Sequence, residues 1–180
     1  MSVAGLRPGA GSLSGSRREP TLGGRRPPFA FPVSVYYEDT DAAGVVYYAN
    51  YLKFMERART EWLASLGFPL AEFVRTHGVA FVVHRVEVDF LAPARLNDRL
   101  DVTVEPLLRE GSPAGRPDGE VERGAERADR SRVRFVALQE VRRGPVTLTR
   151  ARVAVACVDT VRWKPARIPE PLQHALETAT

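Results

Sequence analysis

The feature that most constrains the fold is a change in the spacing of apolar residues along the chain. From Asn50 to Gly67 they recur at steps of three and four, which predicts a helix with one buried stripe. Asn50 is a candidate N-cap and Gly67 a candidate C-terminal stop. The stripe consists of Tyr51, Phe54, Met55, Ala58, Trp62 and Leu66. A shorter helix is expected at 70–76.

Strands are predicted on both sides of these helices. Phe31 to Glu38 forms the first, and later runs alternate apolar with polar residues, the period of a strand with one dry face. The dry faces are expected to be Val82, His84, Val86, Val88 and Phe90 in one strand and Leu100, Val102 and Val104 in the next. In this scheme His84 is a core histidine.

Two further strands, 131–141 and 146–158, are joined by a short link containing Gly144 that suits a hairpin. The predicted order is a strand, a long helix, a short helix and then four strands. Strands joined by short connections favour one antiparallel sheet with the helix on one face. The predicted fold class is therefore α+β.

Charge is distributed unevenly. Residues 1–30 hold five arginines and one glutamate, so residues 31–180 hold 21 basic and 21 acidic groups. A balanced body without a basic stripe argues against nucleic acid as a partner. Residues 1–30 and 111–130 are rich in Gly, Pro and charge, which predicts a disordered tail and a flexible insertion. The domain is expected to span 31–170, followed by a C-terminal tail at 171–180.

Cellular location is inferred from what the sequence contains. The longest apolar runs are far shorter than the roughly 20 residues of a membrane helix, and no cleavable leader pattern is present. A single cysteine, Cys157, suits a reducing compartment and provides no metal-ligand spacing. We expect a cytoplasmic protein without a metal; an organelle transit peptide in the Arg- and Ser-rich leader is the alternative.

Two aspartates, Asp39 and Asp41, stand just before the long helix in "YYEDTDAAGVVYYANY". They could form a solvated turn, or a site where a carboxylate and a helix N-terminus face the same small molecule. A helix N-terminus offers unpaired N–H groups and the positive end of the macrodipole. Gly44 would allow the backbone to approach a ligand closely.

Three stretches carry a resemblance to a known family. "YYEDTDAAGVVYYANYLKFMERART", "VDFLAPARLNDRL" and "CVDTVRWKPARIP" resemble hotdog-fold acyl-CoA thioesterases, in particular the Tol-Pal-associated and 4-hydroxybenzoyl-CoA thioesterases. The similarity covers residues 33–170 apart from the insertion. It implies a curved antiparallel sheet wrapped around one long helix, and homodimers that often pair into tetramers. It leaves peripheral association with envelope proteins open.

The resemblance also implies site residues. The family's catalytic carboxylate falls on Asp41, as nucleophile or as general base for water, and Asp39 shapes the loop. The amide that polarises the thioester carbonyl belongs to the Tyr47–Tyr48 segment, with Tyr48 as the expected donor. The residues expected to contact the substrate are Tyr37, Gly44, Val46, Tyr47 and, for the phosphates of coenzyme A, Lys164. No cofactor is implied.

The sequence departs from the Tol-Pal-associated pattern at one position. Those enzymes usually carry histidine where this chain has Tyr48, and a tyrosine remains protonated near neutral pH. A proton relay through a histidine is therefore not expected here. Glu56 on the helix is a minor alternative, because another branch of hotdog enzymes uses a helix glutamate.

The implied function is hydrolysis of a small or medium acyl-CoA to the free acid and coenzyme A. One alternative is a hotdog module that binds an acyl-CoA or a protein without catalysis. Another is a hotdog dehydratase, which generally needs a histidine in the active loop. No histidine lies between Val33 and Thr76. The acyl group, the choice of dimer or tetramer, and the role of the insertion stay open.

Overall fold

A computed structural model describes residues 28–107 and 132–179. Most of the predicted tail and the whole 111–130 insertion lie outside the described residues. The elements are β1 (Phe29–Ser34), a 3₁₀ turn (Tyr37–Asp39), α1 (Tyr48–Ser65), α2 (Leu70–His77), β2 (Val79–Phe90), β3 (Arg99–Leu107), β4 (Arg134–Arg143), β5 (Val146–Asp159) and α3 (Glu170–Thr178).

The five strands form one antiparallel sheet in the order β1-β3-β4-β5-β2. The predicted α+β class is confirmed. The β4–β5 hairpin turns at Gly144, whose φ of 55° lies in the left-handed region that glycine adopts without strain. β1 and β2, which flank the helices in sequence, occupy the two opposite edges of the sheet.

One face of the sheet carries the core. α1 packs against β1, β3 and β4, and five of the six residues of its predicted stripe are buried, while Leu66 is partly buried against them. The expected dry face of β3 is also confirmed. The residues at the centre of the core include Phe54, Met55, Leu100, Val102, Val104, Val141 and Val153.

The two ends of α1 differ in how well the sequence predicts them. Gly67 ends the helix as expected, with φ of 91° and an N–H that donates to Ala64 O at 3.0 Å. The N–H of Phe68 donates to Leu63 O at 3.0 Å, which completes a Schellman motif. The prediction of Asn50 as N-cap is wrong, because α1 begins at Tyr48 and Asn50 lies inside its first turn.

The first strand is shorter than predicted. β1 ends at Ser34, and the chain then turns through the 3₁₀ segment Tyr37–Asp39 instead of remaining extended to Glu38. The side-chain Oδ2 of Asp39 accepts a hydrogen bond from Tyr36 N at 2.8 Å, which stabilises this turn. The turn lies next to the start of α1, where Tyr47 N donates to Asp39 O.

β2 also differs from its prediction. It is an edge strand, and its pairing with β5 shifts between Val83 and Arg85, so His84 is an inserted residue. His84 is exposed, and the prediction of a core histidine is wrong. On the face turned toward α1, Val83, Val86 and Phe90 are 51%, 38% and 51% exposed. The described part of the protomer covers this apolar strip only in part, through contacts such as that between the rings of Phe90 and Tyr51.

The C-terminal segment is more ordered than the tail expected at 171–180. α3 spans Glu170–Thr178 and buries Leu172 and Leu176 completely. These leucines are four residues apart and therefore share one helix face. Among the described residues, no helix is long and apolar enough to cross a membrane.

Candidate active site

A surface cavity of about 440 Å³ lies beside the loop that precedes α1. It brings together three of the predicted site residues, Tyr37, Asp41 and Gly44. Leu96, which sequence analysis did not single out, closes the cavity from the loop between β2 and β3. Its full lining is Tyr37, Thr40, Asp41, Ala42, Gly44 and Leu96.

The Asp41 loop is a tight turn that presents the carboxylate outward. The N–H of Gly44 donates to Asp41 O at 2.9 Å, and the N–H of Asp41 donates to Val45 O at 2.9 Å. Oδ1 of Asp41 accepts from Ala43 N at 2.9 Å, while Oδ2 accepts no hydrogen bond from the described residues. One carboxylate oxygen is thus held in place and the other is available to a substrate.

Gly44 is required by the backbone of this turn. Its φ is 73°, and a Cβ placed there would have no heavy atom within 4 Å. Glycine is therefore selected by conformation rather than by crowding within the protein. Gly44 lines the cavity, and the close approach of a ligand to its backbone stays a prediction.

Asp39 is buried and shapes the loop, as expected. Besides binding Tyr36, it accepts two hydrogen bonds at its backbone oxygen, from Tyr47 N at 2.9 Å and from Asn50 Nδ2 at 3.0 Å. These bonds join the turn to the first residues of α1. Asn50, 6% exposed, is a positioning residue that sequence analysis interpreted only as a helix cap.

The start of α1 offers unpaired hydrogen-bond donors. The N–H groups of Tyr47 and Asn50 are occupied, by Asp39 O and Tyr47 O respectively. Within residues 28–107 and 132–179, the N–H groups of Tyr48 and Ala49 have no hydrogen-bond acceptor. Two adjacent free amides at the positive end of a helix can stabilise an oxygen that gains negative charge.

Tyr47 and Tyr48 form an exposed aromatic pair above these amides. Their ring centroids are 4.6 Å apart, and the side chains are 44% and 60% exposed. The pKa of Tyr47 is raised above its usual value, mainly by a hydrogen bond with the Tyr48 side chain, then by electrostatic interaction with Tyr48, desolvation and the charge of Asp41. The Tyr47 phenol therefore stays protonated at neutral pH.

Val46 does not lie where we expected a substrate-binding residue. Its side chain is only 4% exposed and belongs to the hydrophobic core, and its N–H donates to Ala94 O at 2.9 Å. Neither group faces the cavity. The contribution of Val46 is to anchor the end of the Asp41 loop against the segment that carries Leu96.

Lys164 lies far from the cavity within one protomer. It belongs to the exposed turn after β5, where Lys164 O accepts from Asp159 N and Thr160 N donates to Gly78 O. Gly78 precedes β2, whereas the cavity lies beyond the other end of that strand. At 3.3 Å per residue, the twelve residues of β2 place the Lys164 turn roughly 35 Å from the cavity.

The loop from Ala94 to Asp98 forms the other wall of the site. Ala94 N donates to the hydroxyl of Tyr51 at 2.8 Å, and Asp98 Oδ2 accepts from Arg143 Nη1 at 2.7 Å. Desolvation raises the pKa of Tyr51, so its hydroxyl stays protonated. Tyr51 was correctly predicted in the core. Its second role is to hold the cavity wall through the bond from Ala94 N, and the spacing of apolar residues cannot predict this bond.

A second groove, of about 530 Å³, is lined mainly by side chains of the sheet face opposite α1. Several of its charged groups pair with one another: Arg150 Nε lies 3.0 Å from Glu140 Oε1, and Arg152 Nε lies 3.7 Å from Glu87 Oε2. It holds none of the predicted site residues. Across the described residues, no cluster of three His, Cys, Asp or Glu side chains could hold a metal ion.

Comparison with known proteins identifies the family. Residues 35–176 match the model of the thioesterase-like superfamily. The chain is 37% identical over 147 residues to the acyl-CoA thioesterase YbgC of Haemophilus influenzae, covering 82% of this chain and 93% of that protein. It is 38% identical over 143 residues to the acyl-CoA thioester hydrolase YbgC of Escherichia coli O6:H1, covering 79% and 90%.

Solved structures agree with the sequence comparison. A 1,4-dihydroxy-2-naphthoyl-CoA thioesterase from Synechocystis superimposes with a TM-score of 0.64 at 27% identity, covering 82% of this chain and 94% of that chain. A probable thioesterase from Bartonella henselae superimposes with a TM-score of 0.60 at 32% identity, covering 78% and 98%. The resemblance found in the sequence is confirmed: the chain belongs to the thioesterase-like superfamily and has its hotdog fold.

Proposed function

We propose that this protein hydrolyses acyl-CoA thioesters at the cavity before α1. One observation carries the proposal: the Asp41 carboxylate, with a free Oδ2, lies on the loop that runs directly into two unpaired amides, those of Tyr48 and Ala49. A thioester carbonyl needs both a nucleophile or base and preorganised donors. The YbgC relatives are named for this activity.

The carbonyl oxygen of the substrate accepts hydrogen bonds from the Tyr48 and Ala49 amides, which stabilise the negative charge that develops on it. In one route Asp41 removes a proton from water, the water oxygen attacks the carbonyl carbon, and the C–S bond breaks. In the other, Asp41 attacks the carbon and water then hydrolyses the resulting anhydride. Coenzyme A leaves as a thiolate in both. No cofactor takes part in either route.

The three histidines lie outside the cavity. His77 is at the end of α2, His84 is exposed on β2, and His174 is on α3. A dehydratase that depends on a histidine in the active loop therefore has no supporting observation. Asp41 is the only carboxylate among the described residues that line the cavity.

The proposal includes a homodimer formed by β2. The unpaired backbone edge of this strand and its apolar strip of Val83, Val86 and Phe90 suit an identical strand from a second copy. Antiparallel pairing about a two-fold axis near His84 would bring the Val79 end of one β2 to the Phe90 end of the other. Lys164 of the partner subunit would then lie near the cavity, where it can bind coenzyme A.

We also propose that the protein is cytoplasmic. Cys157 is buried, and desolvation raises the pKa of its thiol to about 11, so it is an unreactive core residue suited to a reducing compartment.

Hydrolysis of acetyl-, hexanoyl-, palmitoyl- and 4-hydroxybenzoyl-CoA, followed with a thiol reagent, tests the activity and ranks the acyl groups. Thiol release with at least one substrate is expected. Binding of acyl-CoA without thiol release would instead identify a non-catalytic module.

A further inference from the structure

Arg95 stands beside the candidate active site but has no part in the chemistry described above. Its backbone forms an antiparallel bridge with Val45, in the segment between Gly44 and α1. The next residue, Leu96, lines the cavity. Arg95 therefore lies at the rim of the cavity in the same protomer, unlike Lys164.

The backbone that carries Arg95 is held firmly. Arg95 N donates to Asp98 Oδ2 at 2.8 Å, and Asp98 N donates to Arg95 O at 3.1 Å. Val35 and Asn97 add two bonds on the other side, Val35 N to Asp98 O and Asn97 N to Val35 O, both 3.0 Å. Asn97 adopts φ of 69° within this turn. The turn is fixed by backbone groups and by Asp98, and not by the guanidinium of Arg95.

The guanidinium of Arg95 has little part in stabilising the fold. The Asp98 carboxylate pairs with Arg143 Nη1 at 2.7 Å, and its pKa is lowered despite partial desolvation, by hydrogen bonds from the Arg95 amide and Arg143 and by the charges of Arg143 and Arg95. Among the described residues, no carboxylate oxygen lies within 4.0 Å of the Arg95 guanidinium. The Arg95 side chain is exposed.

An acyl-CoA must bring several phosphate charges toward a rim that already carries Asp41. Repulsion by that carboxylate has to be offset by a cation near the path of the leaving group. A guanidinium matches a phosphate with two parallel hydrogen bonds. The pantetheine arm separates the phosphates from the thioester, so a cation at the rim can bind them while the carbonyl reaches the amides of α1.

We propose that Arg95 binds the diphosphate of coenzyme A, and thereby determines that the enzyme accepts coenzyme A thioesters rather than thioesters without phosphate. This inference rests on the proposed function. It assigns Arg95 to substrate binding and leaves bond breaking to Asp41. Arg95 therefore acts on KM and not on the chemical step.

The test compares Arg95→Gln with the wild type on two substrates that share one acyl group, hexanoyl-CoA and the hexanoyl thioester of N-acetylcysteamine, which has no phosphate. KM for hexanoyl-CoA should rise about tenfold in Arg95→Gln, as expected for loss of a charged hydrogen-bond partner. The kcat should stay unchanged, and kcat/KM for the phosphate-free thioester should equal that of the wild type. Arg95→Lys should recover part of the loss.

Arg75→Gln is the matched control, because Arg75 is an exposed α2 residue whose side chain is 79% accessible. Equal losses on both thioesters in Arg95→Gln, or an unchanged KM for hexanoyl-CoA, would overturn the role of Arg95. If the wild type hydrolyses neither thioester, the proposed function itself is wrong. This outcome is distinct from those that contradict only the role of Arg95.

Discussion

The side-chain Nδ2 of Asn50 donates a hydrogen bond to the backbone oxygen of Asp39 at 3.0 Å, eleven residues earlier in the chain. Through this bond the first turn of α1 and the Asp41 loop form one unit. The bond is buried, so bulk water does not compete with it. The geometry between Asp41 and the free amides of Tyr48 and Ala49 depends on it.

Asn50→Ala should lower both stability and activity. The variant leaves Asp39 O with one donor, Tyr47 N, and removes a buried hydrogen bond, for which we expect a loss of about 1–3 kcal/mol in the free energy of unfolding. Urea denaturation measures it. The kcat should fall under conditions where the variant is folded. Lys53→Ala, on the exposed side of α1, is the control and should change neither quantity. A folded Asn50→Ala with wild-type kcat would show that the bond does not position the site.

Asp41→Asn should fold normally and lose about 100- to 10,000-fold in kcat, the range expected for a missing base. The asparagine side chain still offers an oxygen to Ala43 N, so the turn persists, while its nucleophile and base are gone. Release of thiol from hexanoyl-CoA is the measurement. Asp101→Asn, an exposed carboxylate on β3, should have no effect. Wild-type turnover by Asp41→Asn would exclude the proposed mechanism.

The amide of Tyr48, and not its phenol, is expected to bind the carbonyl oxygen. Tyr48→Phe should therefore retain kcat, whereas Tyr48→Pro, which lacks the N–H, should lose about 100- to 1,000-fold. Proline is compatible with the first position of a helix, and Tyr47, with φ −58° and ψ 131°, already has the backbone that precedes proline.

Tyr48→Ala controls for loss of the ring in this series. Circular dichroism and kcat are measured for all three variants. If Tyr48→Pro and Tyr48→Ala lose the same activity, the ring and not the amide is responsible.

Val86→Glu should dissociate the proposed dimer. A glutamate in the apolar strip of β2 would be buried without a partner in the paired state. Light scattering after size-exclusion chromatography should show a monomer, and KM for acyl-CoA should rise, because Lys164 of the partner subunit would be lost. Val146→Glu is the control, since Val146 is 47% exposed at the β4–β5 hairpin. A wild-type mass for Val86→Glu would remove β2 as the interface.

The sequence pattern predicted those features that neighbouring residues in the chain determine. The stripe of α1 and its end at Gly67 follow from the spacing of apolar residues and from the left-handed conformation that glycine adopts freely. The start of α1 could not be predicted in this way. Asn50 is a favoured N-cap residue, but its side chain instead bonds Asp39, a contact that only the folded loop creates.

Alternation shows which strand residues share a face, but not whether anything covers that face. For this reason the apolar residues of β3 were correctly placed in the core, while those of β2 lie exposed at the sheet edge. The bulge at His84 also shifts the alternation, and no residue in "VVHRVEV" signals it.

The candidate site was predicted as far as one loop defines it. Tyr37, Asp41 and Gly44 are close in sequence and share the cavity. Leu96 and Arg95 join it through a pairing with Val45 that spans fifty residues of sequence. Lys164 could be assigned to the substrate only by resemblance, and its distance from Asp41 depends on the length of β2.

The sheet order has a consequence for how the chain emerges during synthesis. Of the five described strands, β1 and β2 are translated before the other three, and they lie at opposite edges of the sheet. β1 has no partner strand until β3 has been translated, and β2 has none until β5 has been translated. During this time the apolar strip of β2 is open to other nascent chains. Early strands that wait for distant partners fold slowly and aggregate readily. Production of this protein should therefore benefit from slower translation or added chaperones.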